Sequence, residues 1–310
     1  MIACSFLPAA TQMIYDMNLQ HFLKGVTFEC PKNALEKNER VVRCIMEGKN
    51  YTSLEIDKIF SASKGEGKSL YYVDQLVLEK IAPDIIFTQD VCEVCQIDTK
   101  CTAEAVGKLK KTPILIPLSP NTLEDVFSTA VIIATALGCE EAAYKYLSRL
   151  QKRTNGILDM LRKNKMPIRR VSLIEWIDPI YNCGHWIPYQ IAQSGGIDML
   201  SNPGGDSIVT SWNKIVKYNP EVIVIAPCGF YIERSIAELK LLSDREGWCN
   251  INAVTNGEVY FADYDLFTQP SASTLVDGIE LLAALFHPTI FSIPPKLKDK
   301  SKKLEKCIMI

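Results

Sequence analysis

Two stretches of similar form decide the fold: IAPDIIF at residues 81–87 and YNPEVIV at residues 218–224. Each reads as the end of a helix, a proline, an acidic residue and a short apolar run. Proline disfavours helical backbone in the residue before it, so the helix ends there. A continuous apolar run is typical of a parallel strand buried on both faces. One copy in each half of the chain predicts two lobes of similar architecture.

Further strands and helices surround these two stretches. The apolar runs predict strands at residues 84–88, 114–116, 171–174, 221–226 and 258–262. Between the two halves, the pattern predicts one helix over residues 123–137 and another over residues 140–165. At ~1.5 Å per residue, the second helix is long enough to run the length of a lobe and join it to the next. Strands that alternate with helices indicate α/β units.

The predicted fold class is therefore α/β, with two Rossmann-like lobes that each contain a central, mainly parallel sheet. A long backbone helix joins the lobes, and the ligand cleft is expected between them. The predicted divisions are an N-terminal lobe, the interlobe helix, a C-terminal lobe and a flexible basic tail, at residues 1–138, 139–166, 167–290 and 291–310.

Composition narrows the class of protein and its partners. The chain has 310 residues, of which 47% are hydrophobic, so a large core is available and two domains are expected. The net charge of -2 gives no reason to expect nucleic acid as a partner. The 11 cysteines are an odd number, and the first residues show no basic and apolar leader. Reduced thiols and a cytoplasmic location are therefore expected.

A resemblance to a known family rests on motifs spread along the chain. They are SFLPAAT at 5–11, GVTFEC at 25–30, PDIIFTQD at 83–90, CEVC at 92–95, GGID at 195–198, PEVIV at 220–224, PCGF at 227–230 and DGIELL at 277–282. Their order resembles the helical-backbone class of substrate-binding proteins, which carry cobalamin and iron chelates to ABC importers. Within that class the chain looks most like the cobalamin-binding branch. The resemblance implies a protein that binds cobalamin or a related corrinoid or metal chelate, with a cobalamin-using enzyme or a transporter as its partner. Together with the expected cytoplasmic location, it predicts an intracellular binding protein.

The ligand site is expected where strands end. In open α/β sheets, ligands lie beyond the carboxyl ends of the strands. The predicted ligand-binding residues that follow strands are Ser5, Pro8, Glu29 and Gln89 in the first lobe and Trp176, His185, Trp186, Phe230 and Phe267 in the second. Aromatic walls with few polar groups suit a large planar or macrocyclic ligand. A neutral imidazole at His185 is a candidate ligand for the metal of such a chelate.

Four cysteines also follow predicted strands: Cys30, Cys92, Cys95 and Cys228. Thiols that converge from separate loops can hold an iron–sulfur cluster or zinc. The alternative is that each is a small buried apolar residue, which is the usual role of a free cysteine. The rival function is accordingly a cytosolic metalloprotein or enzyme. No nucleophile elbow or phosphate loop is present, so no catalytic residues are assigned and a binding protein is favoured over an enzyme.

The C-terminal sequence leaves a lipid anchor open. Cys307 is followed by three residues in the form of a prenylation box, and lysines precede it from Lys296 onward. A prenyl chain and a basic patch together would anchor the chain to a membrane. The alternative is a solubilising lysine-rich tail, so contact with a membrane is expected only if Cys307 is prenylated.

Overall fold

The computed structural model describes residues 1–49, 51–66, 69–89 and 99–305. It divides into two compact units. Unit 1 comprises Met1–Pro120 and Glu124–Ser148, and unit 2 comprises Asn121–Leu123 and Arg149–Ile310. No helix among the described residues is long and apolar enough to cross a membrane.

Unit 1 is built on one mainly parallel sheet. Its strands are β1 (Ala3–Ser5), β2 (Leu23–Thr27), β3 (Glu39–Cys44), β4 (Tyr71–Val73), β5 (Ile85–Thr88) and β6 (Ile114–Pro117). Its helices are α1 (Pro8–Asp16), α2 (Lys32–Leu35), α3 (Ser53–Glu66), α4 (Gln75–Ile81), α5 (Thr99–Val106) and α6 (Leu123–Ala136). The strand order is β4-β3-β2-β1-β5-β6, and β4 runs antiparallel to β3 while the other pairs are parallel.

Helix α7 (Glu140–Lys163) follows, and unit 2 contains the rest of the chain. The strands of unit 2 are β7 (Arg169–Trp176), β8 (Tyr181–Asn182), β9 (Gly184–His185), β10 (Gly196–Ile197), β11 (Asn202–Pro203), β12 (Ile208–Val209), β13 (Val222–Ile225), β14 (Val259–Ala262) and β15 (Ser301–Lys303). Its helices are α8 (Ile187–Gln193), α9 (Trp212–Tyr218), α10 (Ile232–Ala237), α11 (Lys240–Ser243), α12 (Asn252–Thr255) and α13 (Ala272–Phe286).

The main sheet of unit 2 has the order β12-β8-β7-β13-β14-β15, and β10 also pairs with β7. Strands β7, β13 and β14 are parallel neighbours at its centre. Strands β13 and β14 are buried along their whole length. Apolar clusters containing residues of these central strands pack against α8 and α13 in one case and against α9 and α12 in the other. This two-lobed α/β fold with mainly parallel sheets confirms the predicted fold class.

The two similar stretches adopt the same local structure. Ala82 caps the C-terminus of α4 and Asn219 caps that of α9, and both residues take left-handed backbone with φ of 46° and 52°. A proline and a buried strand follow each. The two acids make equivalent bonds: an Asp84 carboxylate oxygen accepts from the backbone N–H of Ile2 at 2.8 Å, and a Glu221 oxygen accepts from that of Arg170 at 2.9 Å. Each acid therefore binds the start of the neighbouring parallel strand.

The long helix predicted over residues 140–165 is confirmed as α7. The division between the units falls along it, between Ser148 and Arg149. Within unit 2, Arg153 on α7 donates to Glu280 on α13 at 2.7 Å and to Asp277 at 2.5 Å. Because these groups are about three-quarters buried, the ion pairs are less screened by water than surface pairs and fasten the end of α7 to α13.

The prediction of a flexible C-terminal tail is wrong for residues 294–305. Strand β15 pairs antiparallel with β14, and Leu297 and Leu304 are 3% and 5% exposed. Two leucines spaced within a lysine-rich stretch bury enough apolar surface to dock it, and the edge of the sheet satisfies its backbone. Residues 306–310, including Cys307, lie outside the described residues.

Candidate functional site

The candidate site of unit 2 lies at the carboxyl ends of β7, β13 and β14. These strands are parallel neighbours, so the segments that follow them lie at the same edge of the sheet. Trp176 ends β7, Phe230 follows β13, and residues 263–267 follow β14. We call this edge the carboxyl edge of unit 2.

Trp176 packs on Phe230 at this edge. The ring centroids are 5.2 Å apart and the rings are inclined at 61°, which is the edge-to-face arrangement that aromatic pairs favour. Phe230 is fully buried, and the guanidinium carbon of Arg234 lies 3.6 Å from the centre of its ring. Trp176 is partly exposed, and its buried indole N–H has no hydrogen-bond partner among the described residues. The buried Phe230 ring therefore supports the partly exposed Trp176 ring from the interior of unit 2.

His185 and Trp186 form a second aromatic pair. Their ring centroids are 5.3 Å apart and the ring planes are inclined at 27°, so the rings are stacked. Both side chains are partly exposed. The indole N–H of Trp186 donates to the backbone oxygen of Phe267 at 2.6 Å. Phe267 is itself fully buried. We call the three partly exposed rings, Trp176, His185 and Trp186, the aromatic rim.

The backbone of His185 is held in an unusual conformation. Its φ is 51°, which is uncommon for a residue with a side chain. Its N–H donates to Gly205 at 2.6 Å, and its carbonyl accepts from Gly204 at 2.9 Å. Desolvation lowers the pKa of the His185 imidazole, although Asp206, 3.8 Å from it, acts in the opposite direction. The lowered pKa favours the neutral ring, the form in which histidine binds a metal.

Asp198 is a buried residue that was not among the predicted site residues, and it binds both β7 and the residues just before His185. Asp198 accepts from the backbone N–H groups of Leu173 and Leu200, each at 2.9 Å, and from the Asn182 amide at 3.4 Å. It is 7% exposed, and burial raises its pKa to about 6. The signal in the sequence is an acid directly after Gly195, Gly196 and Ile197, within the GGID motif at 195–198.

In unit 1 the predicted residues divide into buried and exposed ones. Ser5 and Pro8 are buried, and the Ser5 hydroxyl donates to the backbone oxygen of Leu7 at 2.8 Å, so both shape the turn between β1 and α1. Glu29 reaches solvent, yet the protein around its carboxyl group desolvates it and raises its pKa to about 7. Gln89 is partly buried and is the last described residue before residue 99.

The thiols of the predicted metal site divide in the same way. Cys30 is buried and donates to the Thr11 hydroxyl at 3.2 Å, and burial raises its pKa to about 12, which disfavours the thiolate that binds metals. Cys228 is partly exposed. Cys92 and Cys95 lie outside the described residues. Within the described ranges, no three His, Cys, Asp or Glu side chains are placed to hold a metal ion. The four-cysteine site stays a prediction.

Unit 1 also contains an open recess of about 560 Å³. Ile2, Lys24 and Asn38 line it, together with Ile81 at the end of α4. These residues lie near the amino ends of β1, β2, β3 and β5. Because ligands of open α/β sheets bind at the carboxyl ends, this recess does not belong to the candidate site.

Comparison with known proteins identifies the family. Residues 80–266, more than half of the chain, match the family described as periplasmic binding protein. The chain belongs to the periplasmic binding protein family. It is 23% identical over 299 residues to an uncharacterized ABC transporter substrate-binding lipoprotein, YvrC, of Bacillus subtilis, covering 93% of this chain and 80% of that protein.

Solved structures show the same fold. A periplasmic heme-binding protein from Pseudomonas aeruginosa superposes with a TM-score of 0.70 at 16% identity, covering 98% of this chain and 99% of that chain. The periplasmic vitamin B12-binding protein BtuF of Vibrio cholerae superposes with a TM-score of 0.58 at 18% identity, covering 92% and 96%. The resemblance to the helical-backbone class of substrate-binding proteins is thereby confirmed. At these identities the structures establish the fold and leave the ligand open.

The expected cytoplasmic location is wrong. The family is one of periplasmic binding proteins, and the curated relative is a lipoprotein. The number of cysteines was a poor guide because a free thiol buried in a core, such as Cys4 or Cys183, behaves as a small apolar residue whatever the compartment.

Proposed function

We propose that this chain is the substrate-binding protein of an ABC importer and that its ligand is an uncharged metal chelate with an amide-bearing rim, the chemistry of a corrinoid such as cobalamin. Membership of the periplasmic binding protein family supports the general role. The partner is then the permease of that transporter, since the curated relative is described as an ABC transporter substrate-binding lipoprotein.

The observation that carries the choice of ligand is the state of the charged groups at the carboxyl edge of unit 2. The basic side chains there are engaged by the protein: Arg234 lies over Phe230, Arg245 pairs with Asp178 at 3.8 Å, and Lys300 pairs with two aspartates. The side chain of Asp206 is 90% exposed, so its carboxylate contributes an accessible negative charge at the site.

This charge distribution discriminates between three candidate chelates. A haem carries anionic propionates, and a ferric catecholate siderophore carries net negative charge. Either ligand would have to bind beside the Asp206 carboxylate. To find a positive partner, it would have to displace the aspartates or the aromatic ring that now contact the basic side chains of the site. A corrin with amide side chains has no such requirement, because amides bond equally well to carboxylates and to backbone groups. The aromatic rim then supplies flat apolar surface for its macrocycle.

Titration with three chelates tests the proposal. We expect hydroxocobalamin to give a saturable change in its corrin absorption bands, with haemin and a ferric catecholate siderophore binding at least about tenfold more weakly, a difference of ~1.4 kcal/mol. Tight binding of haemin with no response to hydroxocobalamin would contradict the charge argument and leave the family role intact. Stoichiometric iron or zinc in protein purified without air, with no response to any chelate, would instead support the cysteine site.

A change in the aromatic rim tests where the ligand binds. We expect Trp176→Leu to weaken hydroxocobalamin binding by roughly 10–100-fold, because a partly exposed indole at the centre of a binding surface often supplies ~2 kcal/mol. Tyr144→Leu on α7 is a matched control, since Tyr144 is 56% exposed and belongs to unit 1 rather than to the carboxyl edge of unit 2. Fluorescence quenching by the corrin measures both affinities. Equal affinities for the two variants would remove Trp176 from the site.

A further inference from the structure

The C-terminal segment of residues 294–305, here called the strap, lies against the strand that leads into the candidate site. Ser301 pairs with Ala262 and Lys303 with Tyr260, at the end of β14. The backbone N–H of Leu304 donates to Val259 at 2.9 Å, and the Lys300 carbonyl accepts from Asp263 at 3.2 Å. We call residues 263–267, which follow β14, the β14 loop. The strap therefore runs along β14 as far as Asp263, the first residue of this loop.

Lys300 joins the strap to the β14 loop through side chains. Its ammonium group lies 3.0 Å from an Asp263 oxygen and 2.8 Å from an Asp265 oxygen. Asp263 is 10% exposed and Lys300 is 31% exposed, so water screens the group less than it screens a surface pair. The other Asp263 oxygen accepts from the backbone N–H of Ile232 at 3.2 Å, at the start of α10. Lys300 thus neutralises a carboxylate that bridges two loops of the site.

The β14 loop in turn is linked to the aromatic rim at two points, to Trp186 directly and to Trp176 through Phe230. The backbone N–H of Tyr264 donates to the Phe230 carbonyl at 3.2 Å, and Phe230 supports Trp176. The Phe267 carbonyl accepts from the Trp186 indole at 2.6 Å, and Trp186 stacks on His185. A continuous set of hydrogen bonds and ring contacts therefore runs from the strap to the rim.

We infer that Lys300 of the strap is a positioning residue of the ligand site, which holds the β14 loop and, through it, Trp186 and Phe230 in their binding geometry. Removal of the ammonium group leaves Asp263 and Asp265, two carboxylates on one short loop, to repel each other without a counterion. The loop then loses its conformation while the sheet beneath it stays paired. The part of the inference that concerns affinity rests on the proposed function, and the part that concerns loop geometry does not.

Lys300→Met tests this inference, because it keeps the length of the side chain and removes the charge. Lys302→Met is the matched control, since Lys302 sits two positions away on the same strap and is exposed. The first readout is the NMR signal of the Trp186 indole N–H, assigned with Trp186→Phe, which reports directly on the bond to Phe267. The second is hydrogen exchange of the amides in residues 263–267, and the third is the affinity for hydroxocobalamin.

We expect Lys300→Met to shift the Trp186 indole signal, to speed exchange in the β14 loop about tenfold and to weaken ligand binding about tenfold, with Lys302→Met resembling the unaltered protein. Lys300→Arg should restore most of the affinity. If Lys300→Met does not fold, Asp265→Asn removes one of the two carboxylates that Lys300 contacts and should shift the same indole signal by less.

An unchanged indole signal and unchanged exchange in Lys300→Met would overturn the inference. So would a shifted signal with unchanged affinity, because the loop would then have no part in binding. If the unaltered protein binds none of the chelates while the indole signal and the exchange respond as expected, the proposed function fails and the positioning of the loop by Lys300 is upheld.

Discussion

Gly278→Ala is expected to lower the free energy of unfolding by about 3 kcal/mol, at the upper end of the cost of overpacking a core. Gly278 lies within α13, where a Cβ would come within 2.5 Å of the Leu266 carbonyl oxygen and 2.6 Å of the Gln190 amide nitrogen. Neither atom can withdraw freely. The Gln190 amide is fully buried and donates to the carbonyls of Leu266 and Leu275 at 3.0 and 2.9 Å. The added methyl group therefore separates α13 from the β14 loop or breaks this bridge.

A second helical glycine provides the control. Gly156 lies inside α7, and a Cβ there would meet nothing within 4 Å. Gly156→Ala should raise the free energy of unfolding by up to ~1 kcal/mol, because alanine loses less backbone entropy than glycine on forming a helix. Urea denaturation followed by circular dichroism measures both variants. A loss of stability in Gly156→Ala as large as in Gly278→Ala would show that close approach at Gly278 is not the cause.

Asp198→Ala is expected to lower the free energy of unfolding by about 3 kcal/mol as well. The substitution leaves the backbone N–H groups of Leu173 and Leu200 and the Asn182 amide without their acceptor, and each buried unpaired donor costs ~1–3 kcal/mol. Relaxation and entry of water recover part of that sum. Asp159→Ala on α7 is the control: the Asp159 side chain is 76% exposed, so its loss should change stability by less than ~0.5 kcal/mol.

The same aspartate predicts a pH dependence with a definite sign. Burial raises the pKa of Asp198 to about 6, whereas an unfolded aspartate titrates near ~3.9. Between these values the folded protein binds a proton that the unfolded chain does not, so this group adds stability as the pH falls through 6 towards 4. The difference in stability between the unaltered protein and Asp198→Ala should therefore be larger at pH 5 than at pH 7.5. A difference that does not grow on acidification would mean that the buried carboxylate stays ionised over this range of pH.

Much of the fold could be predicted because its signals are local. The apolar runs before Thr88 and Ala226 are too short and too continuous for anything but buried strands, and the prolines at 83 and 220 mark where the preceding helices end. Local sequence also predicted α7, whose 24 residues carry no proline and one glycine. The location of the site at the carboxyl ends of the strands followed from the parallel sheet rather than from any single residue.

Within the site, the position of a residue after a strand did not predict whether its side chain is exposed. Phe230 and Phe267 follow β13 and β14 as predicted, yet both are fully buried, while Trp176 and Trp186 are partly exposed. A position after a strand identifies a loop, but the packing of the loop against its neighbours determines which side chain points inward. The ligand-wall role predicted for the two phenylalanines is therefore better described as support for the two indoles.

The sequence by itself determined the α/β class, the two similar halves, the long helix and the edge at which each sheet presents its loops, because all of these depend on local periodicity and on proline. Only the tertiary structure decided that the lysine-rich tail is a strap packed along β14 and that Lys300 contacts Asp265 across 35 positions of sequence. The same holds for Asp198, which binds Leu173 of β7 and Asn182 just before His185. Burial and charge pairing of this kind arise between residues far apart in the chain, so no local pattern encodes them.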